Sequence, residues 1–156
     1  MASGDGGDIQ QYRALQKMRS NPDWRYDGMS RTEIENAVKA RSSMLMSKTQ
    51  MVARENGKKL KFKVTPSDIE HLVSDATGRS KGVLYISDIP HLNRAIAKAT
   101  FVKSEKDTKT GKSGVVFHYY EITIAGRKMY LNIKEDKKHH TTRLHSITAN
   151  IKKKNE

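Results

Sequence analysis

The sequence predicts an α+β fold in which helices pack on a small antiparallel sheet, preceded by an N-terminal helical segment. Three observations carry this. Residues 30–56 keep a roughly helical apolar spacing. Alternation marks "KLKFKVT" as a half-buried strand, and alternation with a glycine turn marks Val115–Asp136 as a hairpin. The elements run helices first, then β-α-α-β-β-β, which places the last three or four strands in one antiparallel sheet.

Taken in order, residues 1–8 are rich in Gly and Asp and read as irregular, and Ile9–Arg19 reads as a short helix stopping before "SNPDW". A long helix is expected over residues 30–56, with Ser30 and Glu33 as a capping box and Asn56-Gly57 as its stop. Its apolar set is Ile34, Ala37, Val38, Leu45 and Val52, interrupted by Arg41. The methionines Met44, Met46 and Met51 suit either a partner surface or a helix docked on its own domain.

From Lys58 the pattern changes. "KLKFKVT" points Leu60, Phe62 and Val64 inward. Thr65-Pro66 supplies an N-cap and a first-turn proline for a helix through Ala76, ended by Gly78. "GVLYISDI" reads as a short strand or an extended connection, followed by a helix from Pro90 to Ala99. "TFVKS" is extended, and Glu105–Gly114 is a loop. A hairpin turning at Ala125-Gly126 pairs Ile122 with Met129, Tyr120 with Leu131 and His118 with Ile133. "KKHHTT" is a loop before a last strand, "RLHSITANI", and a tail "KKKNE". The resulting division is a helical segment over 1–57 and an α+β domain with a basic tail over 58–156.

With 156 residues and no cysteine, the chain has no disulfide framework and no thiolate chemistry. No apolar run approaches the roughly 20 residues that span a bilayer, so no membrane partner is expected. The N-terminal residues lack the apolar core of a secretory signal. The net charge of +13 is unevenly placed. Residues 1–57 carry nine Lys/Arg against seven Asp/Glu, and the remainder twenty-one against ten. A field of that sign favours polyanions, either nucleic acid or an acidic protein.

No P-loop, G-x-S-x-G, H-E-x-x-H or cysteine zinc pattern is present, so any chemistry must come from side chains gathered by folding. The cluster "HHTTRLH" holds His139, His140 and His145, but no carboxylate lies at ligand spacing within it, and neither metal nor cofactor is expected. His118 is different, because the alternation puts it on the core face of its hairpin with Tyr120, Ile122, Ile124, Met129, Leu131 and Ile133. A buried imidazole with one partner and an acid/base group at a cleft edge both fit that position. The opposite face carries Tyr119, Lys128, Tyr130, Asn132 and Lys134, rings among cations that suit stacked bases and phosphates. Ordinary cross-strand packing is the alternative there. Arg143, His145 and Ser146 follow on the next strand.

The segments "KFKVTPSDIEHLVSDA", "ISDIPHLNRAIAKATFVKSEKD", "FHYYEITIAGRKMYLNIKED" and "RLHSIT" resemble the compact nuclease-like domains of phage, mobile-element and polymorphic-toxin proteins. These are grouped with the barnase–EndoU–colicin–RelE superfamily, and relatives occur as large polyvalent protein-associated domains. The resemblance covers roughly Lys58 to Ile151. It implies helices on a four-stranded antiparallel sheet with the active site on the open face, and metal-independent RNA cleavage by acid/base transesterification. Under it, His118 and His71 form the acid/base pair, while Arg143 and Lys134 stabilise phosphate charge and Ser146 donates to the phosphate. Tyr120 or Tyr130 orients the nucleotide, with Lys128 and His145 as further substrate contacts. The expected substrate is a cytoplasmic RNA, such as a tRNA or mRNA, reached as part of a larger effector or phage protein. An acidic immunity or antitoxin protein is the expected protein partner. A catalytically inactive nucleic-acid-binding module and a basic protein-interaction domain of the same fold are the alternatives.

Overall fold

The computed structural model describes residues 9–13, 21–78, 84–108 and 114–151. Residues 9–13 are helical. A 3₁₀ turn, Trp24–Tyr26, leads into α1 (Arg31–Arg41) and α2 (Ser43–Ser47), then β1 (Gln50–Ala53) and β2 (Lys59–Phe62). Next come α3 (Pro66–Gly78), a 3₁₀ helix Ile86–His91 and α4 (Leu92–Ala97). The chain ends in β3 (Thr100–Lys106), β4 (Val115–Ile124), β5 (Arg127–Asp136) and β6 (Thr141–Thr148). The fold is α+β: β1 and β2 form a two-stranded sheet, and β3-β4-β5-β6 form a four-stranded antiparallel meander. The readings of residues 1–8, and of part of the Ile9–Arg19 helix and the 105–114 loop, lie outside the described residues.

The expected long helix over residues 30–56 is instead two helices, α1 and α2, followed by strand β1 and a turn. Ser30 does form the capping box with Glu33. The helix stops at Arg41, where the buried Ser42 hydroxyl donates to the Val38 carbonyl at 2.6 Å. Beyond α2 the apolar residues alternate rather than follow a helix, with Gln50 and Val52 inward and Met51 exposed. Periodicity alone does not separate a short buried strand from a helix turn. Asn56-Gly57 is a hairpin turn and not a helix stop, with Gly57 at φ +82°. Arg54 N–H donates to the Lys58 carbonyl at 2.7 Å, and Asn56 Oδ1 accepts from Lys58 N–H at 3.0 Å.

The division at 57/58 falls inside the β1–β2 hairpin. β1 pairs β2 across it, Val52 opposite Leu60 and Gln50 opposite Phe62. Tyr26, Ile34, Val38, Leu45 and Val52 share one hydrophobic core with the later elements. The Asp23 carboxylate also reaches forward to accept from Ile86 and Ser87 N–H, both at 2.9 Å. Those bonds, with Asp88 accepting from Tyr85 N–H at 2.8 Å, hold "ISDIPH" as 3₁₀ helix rather than strand. The helix expected over Pro90–Ala99 is accordingly only Leu92–Ala97.

α3 starts as the sequence suggests. Thr65 Oγ1 accepts from Asp68 N–H at 3.1 Å, Asp68 accepts from Thr65 N–H at 2.9 Å, and Pro66 occupies the first helical position. The β4–β5 register is also as expected, with His118 opposite Ile133, Tyr120 opposite Leu131 and Ile122 opposite Met129. Ala125 and Gly126 both adopt positive φ, 51° and 77°, as a two-residue hairpin matched to strand twist requires. Packing of α4 on β1 and β4, and of β2 on β6, buries one face of the large sheet. That face is filled by Tyr120, Ile122, Met129, Leu131, Ile133 and Ile147.

Candidate functional site

At one end of the covered face the apolar core gives way to polar side chains, and His118 sits at the change. The next position along its face on β5, two residues beyond Ile133, is Glu135, opposite Val116. His118 Nε2 lies 2.8 Å from Glu135 Oε1. On the other side, Ser104, directly opposite His118 on β3, brings its Oγ to 2.7 Å from Nδ1. The second Glu135 oxygen accepts from Arg54 Nη2 at 3.0 Å. The order Ser104–His118–Glu135–Arg54 is thus a continuous hydrogen-bonded chain joining three strands and the β1–β2 turn.

Donor chemistry sets the tautomer. An ionised carboxylate only accepts, so Nε2 carries the hydrogen, and Nδ1 presents its lone pair to the Ser104 hydroxyl. His118 is 6% exposed, Glu135 is buried and Ser104 is half-buried. They line a cleft of about 420 Å³ with Arg54, Lys106 and Lys137 among its walls. Its walls carry equal numbers of opposite charges, Glu55, Glu105 and Glu135 against those three cations. Arg54 Nε is buried without a hydrogen-bond partner. The cleft therefore offers an oriented imidazole beside a guanidinium.

Tyr120 stands next to this group but has no free hydroxyl to orient a nucleotide. It is fully buried and donates to the Ala53 carbonyl. Burial pushes its pKa up to about 12, with Glu135 adding to the rise and Arg54 opposing it. Its role is to tie β4 to β1 below Arg54.

The remaining sequence candidates stand elsewhere. Lys134 and Arg143 are directly opposed on β5 and β6, on the face of the sheet away from His118. Neither has an ion-pair partner among the described residues. Two like charges face to face in this way oppose strand pairing and are relieved by an anion. Asn132 and Ser146 are opposed one step along the same face, both buried. A one-residue irregularity between these rows leaves His145 outside the ladder, its ring 5.1 Å from that of Phe117. Lys103 lies 5.3 Å from the Tyr119 ring. Asn132 lies opposite Tyr119 across the β4–β5 ladder, and its Oδ1 is buried without a partner. Tyr130 is half-buried and Lys128 exposed on this open face, the latter 3.6 Å from Glu121. His71 is exposed on α3 and does not line the His118 cleft, so the two histidines are not brought together as a pair.

The sequence reading missed Ser104, Glu135 and Arg54. Glu135 was within reach, since extending the alternation past Ile133 gives it directly. Ser104 required the β3 register across an irregularity between Phe101 and Lys103, and Arg54 required recognising β1 as a strand. Among the described residues no group of three or more His, Cys, Asp or Glu is placed to hold a metal ion. No described helix is long and apolar enough to cross a membrane. The chain matches no family model, no curated protein and no solved structure.

Proposed function

We propose that this chain is a metal-independent ribonuclease whose acid/base group is His118. The observation that carries the reading is the imidazole fixed between Glu135 and Ser104 at an open cleft. Glu135 keeps Nε2 protonated and stabilises the imidazolium that forms when Nδ1 accepts a proton. In this reading a ribose 2′-hydroxyl takes the place of the Ser104 hydroxyl at Nδ1, or passes its proton through it. The 2′-oxygen bonds to phosphorus as the bond from phosphorus to the 5′-oxygen breaks. The 2′ proton ends on His118, and the leaving oxygen takes a proton from Lys106, Lys137 or water. Arg54 and those lysines stabilise the extra charge on the phosphorane.

The open face supports the same reading as a place to hold the strand. Tyr119 and Phe117 offer ring faces, and Lys134 with Arg143 offers unneutralised cations to the phosphates. The two regions meet at the β3 edge, where Glu105 both lines the cleft and pairs with Lys103 at 2.6 Å. The net charge of +13 favours a polyanionic substrate.

Incubating the protein with a single-stranded RNA in EDTA tests this. The expected result is cleavage that leaves a 2′,3′-cyclic phosphate and that stops when the scissile ribose is replaced by 2′-deoxyribose. Cleavage of the deoxy-substituted site, or none of the unmodified RNA, contradicts it.

A further inference from the structure

A second, larger cavity of about 950 Å³ lies at the opposite end of β4 and β5, beside the Ala125-Gly126 turn. Its volume is near the upper end of small-molecule sites, roughly 300–1,000 Å³. One wall is the 3₁₀ helix Ile86–His91 running into α4, and the other is the turn-proximal part of β4 with Arg127.

The charges in this cavity do not balance as those in the His118 cleft do. Its two carboxylates are already engaged. Asp88 is buried and takes both of its oxygens to Arg127 Nη2, each at 2.7 Å, while Glu121 faces Lys128 at 3.6 Å. Arg94 and Lys98, four residues apart, then remain with no ion-pair partner among the described residues. His91, three residues before Arg94, continues the row along the same face. Two cations without ion-pair partners converging on one cavity favour an anionic occupant. The guanidinium of Arg127 is fixed by Asp88 and lies 4.7 Å from the Tyr85 ring, so the far wall joins a rigid cation to an aromatic surface.

We propose that this cavity binds a phosphorylated small molecule of nucleotide size. Arg94 and Lys98 meet the phosphate, and the Tyr85–Arg127 wall meets the organic part. A phosphate takes several hydrogen bonds from guanidinium and ammonium groups at once, and a flat ring system packs on an aromatic–guanidinium wall. The site is separate from the His118 cleft, which shares none of its lining residues, and its occupancy does not depend on cleavage.

The test is the thermal transition of the full chain with adenosine 5′-monophosphate, against adenosine and against NaCl of equal ionic strength. The nucleotide is expected to raise the midpoint by roughly 3–6 °C at about ten times its dissociation constant, and adenosine is not. Both cations are exposed, so the double variant Arg94→Ala/Lys98→Ala is expected to fold and to lose the shift. His118→Gln is expected to keep it, which separates this site from the cleft. No shift with the nucleotide beyond that of salt, or an equal shift in the double variant, overturns the proposal.

Discussion

Glu135 and His118, on the neighbouring strands β5 and β4, are joined at 2.8 Å on the covered face of the sheet, and both are buried. A carboxylate in that position does two things at once. It fixes which imidazole nitrogen carries the hydrogen, and it holds the ring in one orientation against β5. Glu135→Gln keeps the shape and removes the charge. The expected outcome is a fall in kcat of about 10–100-fold with little change in KM, read from RNA cleavage under single-turnover and steady-state conditions. Arg54 then loses its ion-pair partner, and chemical denaturation is expected to show a loss of about 1–3 kcal/mol.

Tyr120 predicts an alkaline transition. Its folded pKa, about 12, lies above the ordinary tyrosine value near 10, so the unfolded chain loses this proton first as pH rises. Stability from this group is complete below about pH 10 and falls as pH rises toward 12. The slope is at most about 1.4 kcal/mol per pH unit. Tyr120→Phe is expected to flatten that part of the stability–pH curve. The same variant leaves the Ala53 carbonyl without its donor, at about 1–3 kcal/mol near neutrality. Denaturant titrations of both proteins between pH 8 and 12 check it.

The N-terminal residues belong to the folded unit. A fragment holding only residues 58–156 lacks β1, which pairs β2, and lacks Val38, Leu45 and Val52 from the core. It is expected to show no cooperative thermal transition, whereas the full chain shows one. A milder perturbation is Gly57→Ala. A Cβ there meets no atom within 4 Å, so only the left-handed backbone is strained, at about 1–2 kcal/mol. That corresponds to a Tm lower by roughly 2–8 °C.

The open face makes a separate, salt-dependent prediction. Lys134→Ala and Arg143→Ala are each expected to weaken single-stranded RNA binding and to reduce the slope of log K against log salt by about 0.7. Fluorescence anisotropy with a 2′-O-methyl oligonucleotide, which this chemistry does not cut, measures binding alone. In cleavage assays the same variants are expected to raise KM more than they lower kcat.

How far the sequence reveals this arrangement depends on the range of the contacts involved. The β4–β5 hairpin was legible because a two-residue glycine turn and twenty alternating residues fix register locally. The start of α3 was legible for the same reason, since Thr65, Pro66 and Asp68 act within one turn. Residues 48–57 were not, because their few apolar side chains fit either period. What selects strand is pairing with Lys59–Phe62 and the seat of Val52 in the core. His118 was placed correctly, on the covered face, with Lys134 on the other face of the sheet. Its partners came from β3, β5 and the β1–β2 turn, and only Glu135 lies on the hairpin itself. Long-range assembly, rather than local propensity, builds the cleft.

His118 carries the proposed chemistry, so the most direct measurement is the RNA-cleavage rate of His118→Gln beside the wild type, in EDTA, with thermal melts of both. Glutamine retains hydrogen-bonding groups for Ser104 and Glu135 but does not exchange a proton near neutral pH. The variant is expected to fold, with kcat lower by about 100-fold or more while 2′-O-methyl RNA binding is unchanged. Cleavage within a fewfold of wild type in a variant that melts normally would contradict it.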